Sequence, residues 1–414
     1  MPREFNVPLF YRSPIISVVK HARRMTDPRK RDLTPSILDF GPVRFKIARH
    51  FGFCYGVENA IEIAYRTLEE NPDKRIFLLS EMIHNPHVNA DLRERGVRFL
   101  CETSGKQLIS FDELTPADVV IVPAFGTTLE IQSKLNARGI NPYAYNTTCP
   151  FVEKVWKKSE EIGRQNYTIV VHGKRYHEET RATFSHAKSG APVVVVLNLA
   201  EAKNLAKVIC GEADRGFFFE YFADSYSPGF EPDRDLKRIG VVNQTTMLAT
   251  ETQAIADLLR QAMVERYGEE NIDEHFADTK DTLCYATKEN QDATLTLIED
   301  SSDLALVVGG YNSSNTSHLV ELCDSKMPTY FVCDAGEIES PRFIRHWDIH
   351  AKAMRETTDW LPMNPPDGKP VDIILTAGAS CPDTLLDEVL CKVVAWFPNP
   401  FAIDDVLAPY RDAD

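Results

Sequence analysis

The sequence predicts an α/β protein built from three small layered units, and three observations carry that prediction. Short Val- and Ile-rich runs alternate with helix-patterned stretches of about 10–15 residues, the mark of βαβ units and buried parallel sheets. Three cysteines, Cys54 in FGFCYGVENA, Cys149 in NTTCPFVEKV and Cys284 in DTLCYATKEN, each stand where an apolar or turn segment yields to a helix pattern, one per third of the chain. Four further turns repeat one design, a strand ending in Gly and polar residues before a helix: HGKRYHEET (172–180), NQTT (243–246), GGYNSSNTSH (309–318) and TAGASCPDT (376–384).

Residues 1–43 show no sustained periodicity and carry a basic run, Lys20 to Arg31, broken by Pro28; they read as an arm laid over the globular body. The run RFKIARHF (44–51) then leads to Cys54 and the helix pattern GVENAIEIAYRTLEE (56–70). RIFLLS (75–80) precedes the helical PHVNADLRERG, and ADVVIVPAFG (117–126) precedes TTLEIQSKLNARG. After Cys149 come the helix VEKVWKKSEEIGRQ and the strand YTIVVHG, then VVVVLN (193–198) before EAKNLAKV, and RIGVVNQT before a long helix from 247 to about 267. The last third holds the apolar runs ATLTLIED and LALVVGG, the helix NTSHLVELC, TYFVCD, DIILTAG and the helix PDTLLDEVLCKVVAWF. Two stretches break the rhythm: 210–237, aromatic and acidic, and 336–370, with Trp347, Trp360 and PMNPPDGKP. Both read as insertions on the framework. The expected organisation is the arm 1–43, α/β domains at 44–147, 148–282 and 283–400 holding Cys54, Cys149 and Cys284 in turn, and a tail 401–414.

At 414 residues, 43% hydrophobic and 26% charged, the chain has the size and composition of a soluble protein of several domains. A net charge of −15 speaks against nonspecific nucleic-acid or anionic-membrane binding. No apolar run reaches the roughly 18–20 residues of a membrane helix, and no secretory signal is visible. Nine scattered cysteines, an odd number, do not form a disulfide framework. A reducing cytoplasm is expected, or a plastid stroma if the source is eukaryotic, since the basic first 32 residues are compatible with a targeting segment.

A thiol at a helix start feels the positive end of the dipole, which favours the metal-binding thiolate. Cysteines so far apart cannot form a local CxxC knuckle. Three of them suggest one shared centre, and three thiolates leave a fourth position open for chemistry. The four strand-end turns offer helix-start amides and Ser, Asn and Thr side chains, an anion site suited to phosphate, although each alone also reads as ordinary capping. His84 in EMIHNPHV and His177 in KRYHEET lie in such turns. Two readings stand for Glu178 and Glu179: first-turn carboxylates that complement the helix dipole, or a proton source in a pocket.

Taken together, FCYGVENAIE, IHNPHV, TTCPFVEKV, HEETRAT, VNQTT, LCYATKENQ, GGYNSSNTSHL and TAGASCPD resemble the LytB-type 4-hydroxy-3-methylbut-2-enyl diphosphate reductase family, in order from about residue 45 to 395. The length, the N-terminal arm and PAFG (123–126) are closer to its cyanobacterial and plastid branch than to its compact bacterial one. The resemblance implies three α/β domains in a pseudo-threefold trefoil around a [4Fe–4S] cluster held by Cys54, Cys149 and Cys284, with the fourth iron open to the substrate hydroxyl. It implies reductive dehydroxylation of (E)-4-hydroxy-3-methylbut-2-enyl diphosphate to isopentenyl and dimethylallyl diphosphate, the last step of the non-mevalonate isoprenoid pathway. His84, His177, Ser313, Asn315 and Ser380, with Ser314 close by, would hold the diphosphate. Glu179 would deliver protons and Thr245 would sit on the relay, with electrons arriving from a donor such as ferredoxin or flavodoxin.

One position departs from the family pattern. The compact bacterial branch has a third diphosphate-binding His in an HG turn where this chain has Phe125-Gly126. Thr127, Thr128 or backbone amides then replace the donor, or the diphosphate sits differently. The other six cysteines (101, 210, 323, 333, 381, 391) read as small buried hydrophobes or bystanders. The alternatives are another three-Cys [4Fe–4S] hydro-lyase, which needs no reductant, a non-catalytic iron–sulfur protein, and a zinc structural protein, disfavoured by the long spacings.

Overall fold

The computed structural model describes residues 5–277, 279, 282, 284–363 and 368–411. Part of PMNPPDGKP, at 364–367, and the end of the tail, 412–414, lie outside the described residues. The chain opens with α1 (Ile16–Thr26), β1 (Ser36–Asp39), β2 (Val43–Ile47), α2 (Tyr55–Glu70), β3 (Ile76–Leu78), α3 (Pro86–Glu94), β4 (Arg98–Phe99), β5 (Val119–Ile121) and α4 (Leu129–Ala137). It continues through α5 (Pro150–Arg164), β6 (Thr168–His172), α6 (Glu178–Lys188), β7 (Val193–Val196), α7 (Leu199–Cys210), α8 (Arg215–Tyr221), α9 (Pro232–Asp235), β8 (Ile239–Asn243), α10 (Ala249–Tyr267), α11 (Ile272–His275) and β9 (Phe276–Ala277). The remainder is α12 (Tyr285–Leu297), β10 (Leu304–Val308), α13 (Ser314–Asp324), β11 (Thr329–Val332), β12 (Ile338–Ser340), β13 (Phe343–Asp348), β14 (Ala353–Thr358), β15 (Val371–Ala377), α14 (Asp383–Val394) and α15 (Ile403–Arg411). The expected α/β class with mainly parallel sheets is what forms. The run ATLTLIED is helical in its first part: residues 293–297 complete α12, with Ala293, Thr294 and Leu297 buried.

The chain divides into two compact units, one of residues 1–58, 84–87 and 285–414, the other of 59–83 and 88–284. The first unit holds a five-stranded sheet in the order β1-β2-β15-β10-β11. Its strands are parallel except for the β1–β2 hairpin. Every residue of β10 is buried, as a parallel strand covered on both faces requires. Phe45, Ile47, Leu306, Phe331, Ile374, Leu386 and Leu390 share one continuous core with Ile15, Ile16 and Val19 of the N-terminal segment. The segment expected as an arm therefore contributes a packed helix and an edge strand. The amides of Ile15 and Ile16 donate to the buried Asp387 carboxylate at 3.1 and 3.2 Å, which ties the start of α1 to α14. Residues 338–358, within one expected insertion, form the antiparallel meander β12-β13-β14.

The second unit holds a three-stranded parallel sheet, β4-β3-β5, and a four-stranded parallel sheet, β7-β6-β8-β9. Successive residues of β6 point to opposite faces. Val170 packs with Leu205, Ile255 and Leu259, while Ile169 and Val171 pack with Val155, Ile162 and Val242. The aromatic insertion at 210–237 covers the first of these faces, with Phe218 stacked on Phe230 at 5.0 Å. Among the described residues no helix is long and apolar enough to cross a membrane.

Candidate active site

In parallel sheets the turns that leave the C-terminal strand ends gather on one edge and carry ligand-binding groups. In the second unit β6 and β8 are neighbours in register, His172 opposite Asn243, so the turns that follow them meet. The first leads into α6, capped by His177, whose Nδ1 accepts from the Glu179 amide at 3.2 Å. The second carries Thr245. Its amide donates to Glu179 Oε1 at 2.5 Å and its hydroxyl to Oε2 at 2.9 Å. Glu179 is 1% exposed. Burial pushes its carboxyl up to about 7, while the two hydrogen bonds from Thr245 pull the other way and are outweighed. The result is a carboxyl group that carries a proton near neutral pH and can release it, the property asked of a general acid.

Gln244, between the two turns, holds this arrangement in place and stood in the sequence only as one letter of NQTT. Its side-chain oxygen accepts from the Lys174 amide at 3.1 Å and from Thr180 Oγ1 at 3.0 Å, and its Nε2 donates to Thr246 Oγ1 at 2.6 Å. It is fully buried. Gly173 leaves room for it, because a Cβ there would stand 2.6 Å from Thr180 Oγ1 and 3.0 Å from Gln244 Cβ. No sequence spacing marks a residue that acts through such cross-turn bonds.

Phe125 presents its ring edge-on to His177, with centroids 5.6 Å apart. The adjoining Gly126 has φ +75°, and a Cβ there would run into the Trp156 ring. Thr128 caps α4, its Oγ1 accepting from the Ile131 amide at 3.3 Å, whereas Thr127 is buried. Of the two hydroxyls expected to replace a missing imidazole, the one on Thr128 already serves the helix.

In the first unit, β2, β15 and β10 are adjacent and parallel, so the turns bearing Cys54, Ser380 and Ser313 leave the same edge. Ser313 caps α13, accepting from the Thr316 amide at 3.3 Å and from Thr316 Oγ1 at 3.0 Å. Asn315 Oδ1 accepts from the Ala379 amide at 2.8 Å, and Ser380 Oγ donates to the His84 carbonyl at 3.1 Å. Ser314, Asn315 and His84 are buried. The buried Asn315 Nδ2 has no hydrogen-bond partner among the described residues, which leaves a donor for an anion. Gly310 and Gly378 permit the close approach, since a Cβ would overlap the His84 carbonyl at the first and Thr316 Oγ1 at the second. Each unit thus gathers its own candidates: His84, Ser313, Ser314, Asn315 and Ser380 in the first, His177, Glu179 and Thr245 in the second.

Cys54, Cys149 and Cys284 each immediately precede a helix: α2, α5 and α12. The Cys54 amide donates to Ala379 O at 3.2 Å and that of Cys149 to Ala124 O at 2.9 Å. None of the three is in a disulfide. Burial raises the thiol pKa of Cys101, Cys210, Cys381 and Cys391, and takes Cys323 and Cys333 to about 12. At neutral pH these six are held as protonated thiols.

Residues 45–394 match the family model described as LytB protein. Among curated proteins the chain is similar to 4-hydroxy-3-methylbut-2-enyl diphosphate reductase of Thermosynechococcus vestitus, 42% identical over 86% of this chain and 85% of that protein. It is similar also to the enzyme of that name from Gloeobacter violaceus, 41% identical over 85% of this chain and 83% of that one. Among solved structures its fold resembles that of the E-1-hydroxy-2-methyl-but-2-enyl-4-diphosphate reductase from Plasmodium falciparum, with TM-score 0.60, 20% identity, and 84% and 87% of the two chains covered.

Proposed function

The chain belongs to the LytB protein family, and we propose that it reduces (E)-4-hydroxy-3-methylbut-2-enyl diphosphate to isopentenyl and dimethylallyl diphosphate. The reaction consumes two electrons and two protons, breaks the C–O bond of the allylic alcohol and releases water. The observation that carries this reading is the buried Glu179 carboxyl on Thr245, a proton held near neutral pH at the edge of a strand-end turn.

Cys54, Cys149 and Cys284 would hold a [4Fe–4S] cluster. Their fit rests on the donor chemistry: three thiols outside any disulfide, each directly before a helix start that favours thiolate. When bound, such a cluster supplies electrons and a Lewis-acidic iron. The protein's own residues do the rest. Ser313, Ser314, Asn315, Ser380 and His84 supply donors to the diphosphate, joined by His177. Glu179 delivers protons to the departing oxygen and the allyl carbon, with Thr245 orienting its carboxyl. An external carrier of the ferredoxin or flavodoxin kind provides the electrons.

The cluster assignment is tested by single Cys→Ser variants purified without oxygen. Cys54→Ser, Cys149→Ser and Cys284→Ser should each lose most iron and all turnover, because a hydroxyl is a poor substitute for a soft thiolate. Cys101→Ser should keep its iron. Full iron and full turnover in Cys149→Ser would make the ligand assignment wrong.

A further inference from the structure

A second set of metal-ligand side chains lies within the first unit, at the C-terminal end of β11. His87, Cys333 and Asp334 each offer one ligand atom, and the three atoms all lie within 4.8 Å of one another. None of them has a part in the reaction above. We propose that His87 Nε2, Cys333 Sγ and an Asp334 carboxylate oxygen form a separate site for one Zn²⁺-like divalent cation, with water as fourth ligand.

The donor set selects the ion. A thiolate and an imidazole favour a borderline-soft metal over Mg²⁺ or Ca²⁺, which demand oxygen ligands. In a tetrahedral zinc site, with bonds of about 2.0–2.3 Å, ligand atoms stand roughly 3.4–3.7 Å apart. His87 Nε2 and Asp334 Oδ2 are 2.9 Å apart, so the three donors need only small rotations to close around an ion. Their support is already built. Asp334 Oδ1 accepts from the Gly336 amide at 2.6 Å, which fixes the carboxylate plane. The Cys333 amide donates to Glu337 Oε2 at 2.7 Å, and the His87 amide donates to Asn85 Oδ1 at 3.0 Å. For Asp334 this is the outer-sphere bond that orients a metal ligand, while the other two fix the backbone from which Cys333 and His87 project.

The charge around the site favours a cation. Glu337 and Glu388 act on His87 together with Asp334. Asp334 and Glu337 are also the groups that, after burial itself, hold the Cys333 thiol protonated, and a bound cation would offset them. The nearby cation Lys392 donates to the Ala335 carbonyl at 2.8 Å and also acts on Asp334, one positive charge against the carboxylates of Asp334, Glu337 and Glu388. His87 and Asp334 side chains are 39% and 29% exposed, so an ion can enter from solvent with a water attached. Occupation would pin 84–87, the segment that carries His84, to the end of β11.

The test uses the iron-loaded protein, dialysed without oxygen against micromolar ZnCl₂, with zinc and iron measured together and zinc-edge absorption recorded. The expected result is one zinc per chain at unchanged iron, with one sulfur neighbour near 2.3 Å and the rest nitrogen or oxygen near 2.0 Å. His87→Ala, Cys333→Ala and Asp334→Asn should each weaken binding by at least the roughly 10–100-fold that losing a mere outer-sphere partner costs. Iron content and circular dichroism show which variants fold, and any one folded variant suffices. The proposal fails if no zinc is retained, if the folded variants bind it as wild type does, or if zinc enters as iron leaves with three sulfur neighbours. The last outcome would place zinc on the cluster cysteines and leave His87–Asp334 an ion pair alone.

Discussion

Thr245 grips both oxygens of the Glu179 carboxyl, with its amide on Oε1 at 2.5 Å and its hydroxyl on Oε2 at 2.9 Å. The two bonds aim a buried acid whose pKa burial, working against them, has lifted to about 7, an arrangement that fits the proposed proton source.

The first prediction concerns pH. A proton donor with a pKa of about 7 loses its proton above neutrality, so kcat/KM with a dye reductant should fall about tenfold per pH unit above about 7. Glu179→Gln should keep iron and substrate affinity but lose about 10²-fold or more in kcat at and below neutral pH, with the gap to wild type closing as the pH rises above about 7. A residual rate within a factor of two of wild type would move the proton source elsewhere. Stability gives a separate check. The native carboxyl binds its proton more tightly than the unfolded one, so its contribution to stability is complete below the ordinary glutamate value of 4.5 and is lost as pH rises to about 7. Thermal melts of Glu179→Gln should lack that downward slope between the two values.

Gln244 supplies the second prediction. Gln244→Leu removes a side chain that bonds Lys174, Thr180 and Thr246, leaving buried polar groups without partners. Each such loss costs about 1–3 kcal/mol, so the melting temperature should drop measurably. Because the Glu179–Thr245 geometry depends on the same turns, kcat should fall with iron content unchanged. A variant that is less stable but turns over normally would confine Gln244 to folding.

A third prediction addresses Phe125. If Thr127 supplies the donor missing at this position, Thr127→Val should raise substrate KM by on the order of tenfold without changing stability. Thr128→Val should instead cost about 1 kcal/mol of stability, because its hydroxyl caps α4. If neither affects KM while Phe125→His improves it tenfold, this chain binds its diphosphate with one contact fewer.

The basic segment gives a fourth. Lys20 is paired with Asp383 at 2.7 Å, Arg23 with Asp32 at 3.0 Å and Lys30 with Glu289 at 3.4 Å, so much of the run is spoken for within the first unit. Arg24, Arg29 and Arg31 are exposed. Reversing these three to Glu should slow ferredoxin-driven turnover most at low salt and leave dye-driven turnover alone. Equal effects in both assays would exclude donor docking. Deleting the segment is a poorer test, because Ile16 and Val19 belong to the core.

Much of the fold is legible in the sequence because each parallel strand is a short apolar run with a helix after it, as in LALVVGG before NTSHLVELC. Strand order is not legible in this way. That β2 pairs with β15, far along the chain, depends on long-range register that local periodicity does not encode. The packed α1 was hidden for a related reason: its apolar face is only Ile16, Val19 and Ala22 amid basic residues, too short a stripe to stand out. At the site, motif letters single out Glu179 and Thr245, but their mutual grip and the Gln244 brace exist only once β6 and β8 lie side by side. The unpartnered Asn315 amide is likewise a property of burial, not of the letters NSSN.

The most direct measurement of the central claim is anaerobic incubation of the reconstituted protein with (E)-4-hydroxy-3-methylbut-2-enyl diphosphate, with and without a chemical reductant, the products resolved by NMR. The account predicts isopentenyl and dimethylallyl diphosphate, one equivalent formed per two electrons consumed, and no conversion when the reductant is withheld. Water loss without reductant would identify a hydro-lyase, and an unchanged substrate in the presence of full iron and reductant would contradict the assignment altogether.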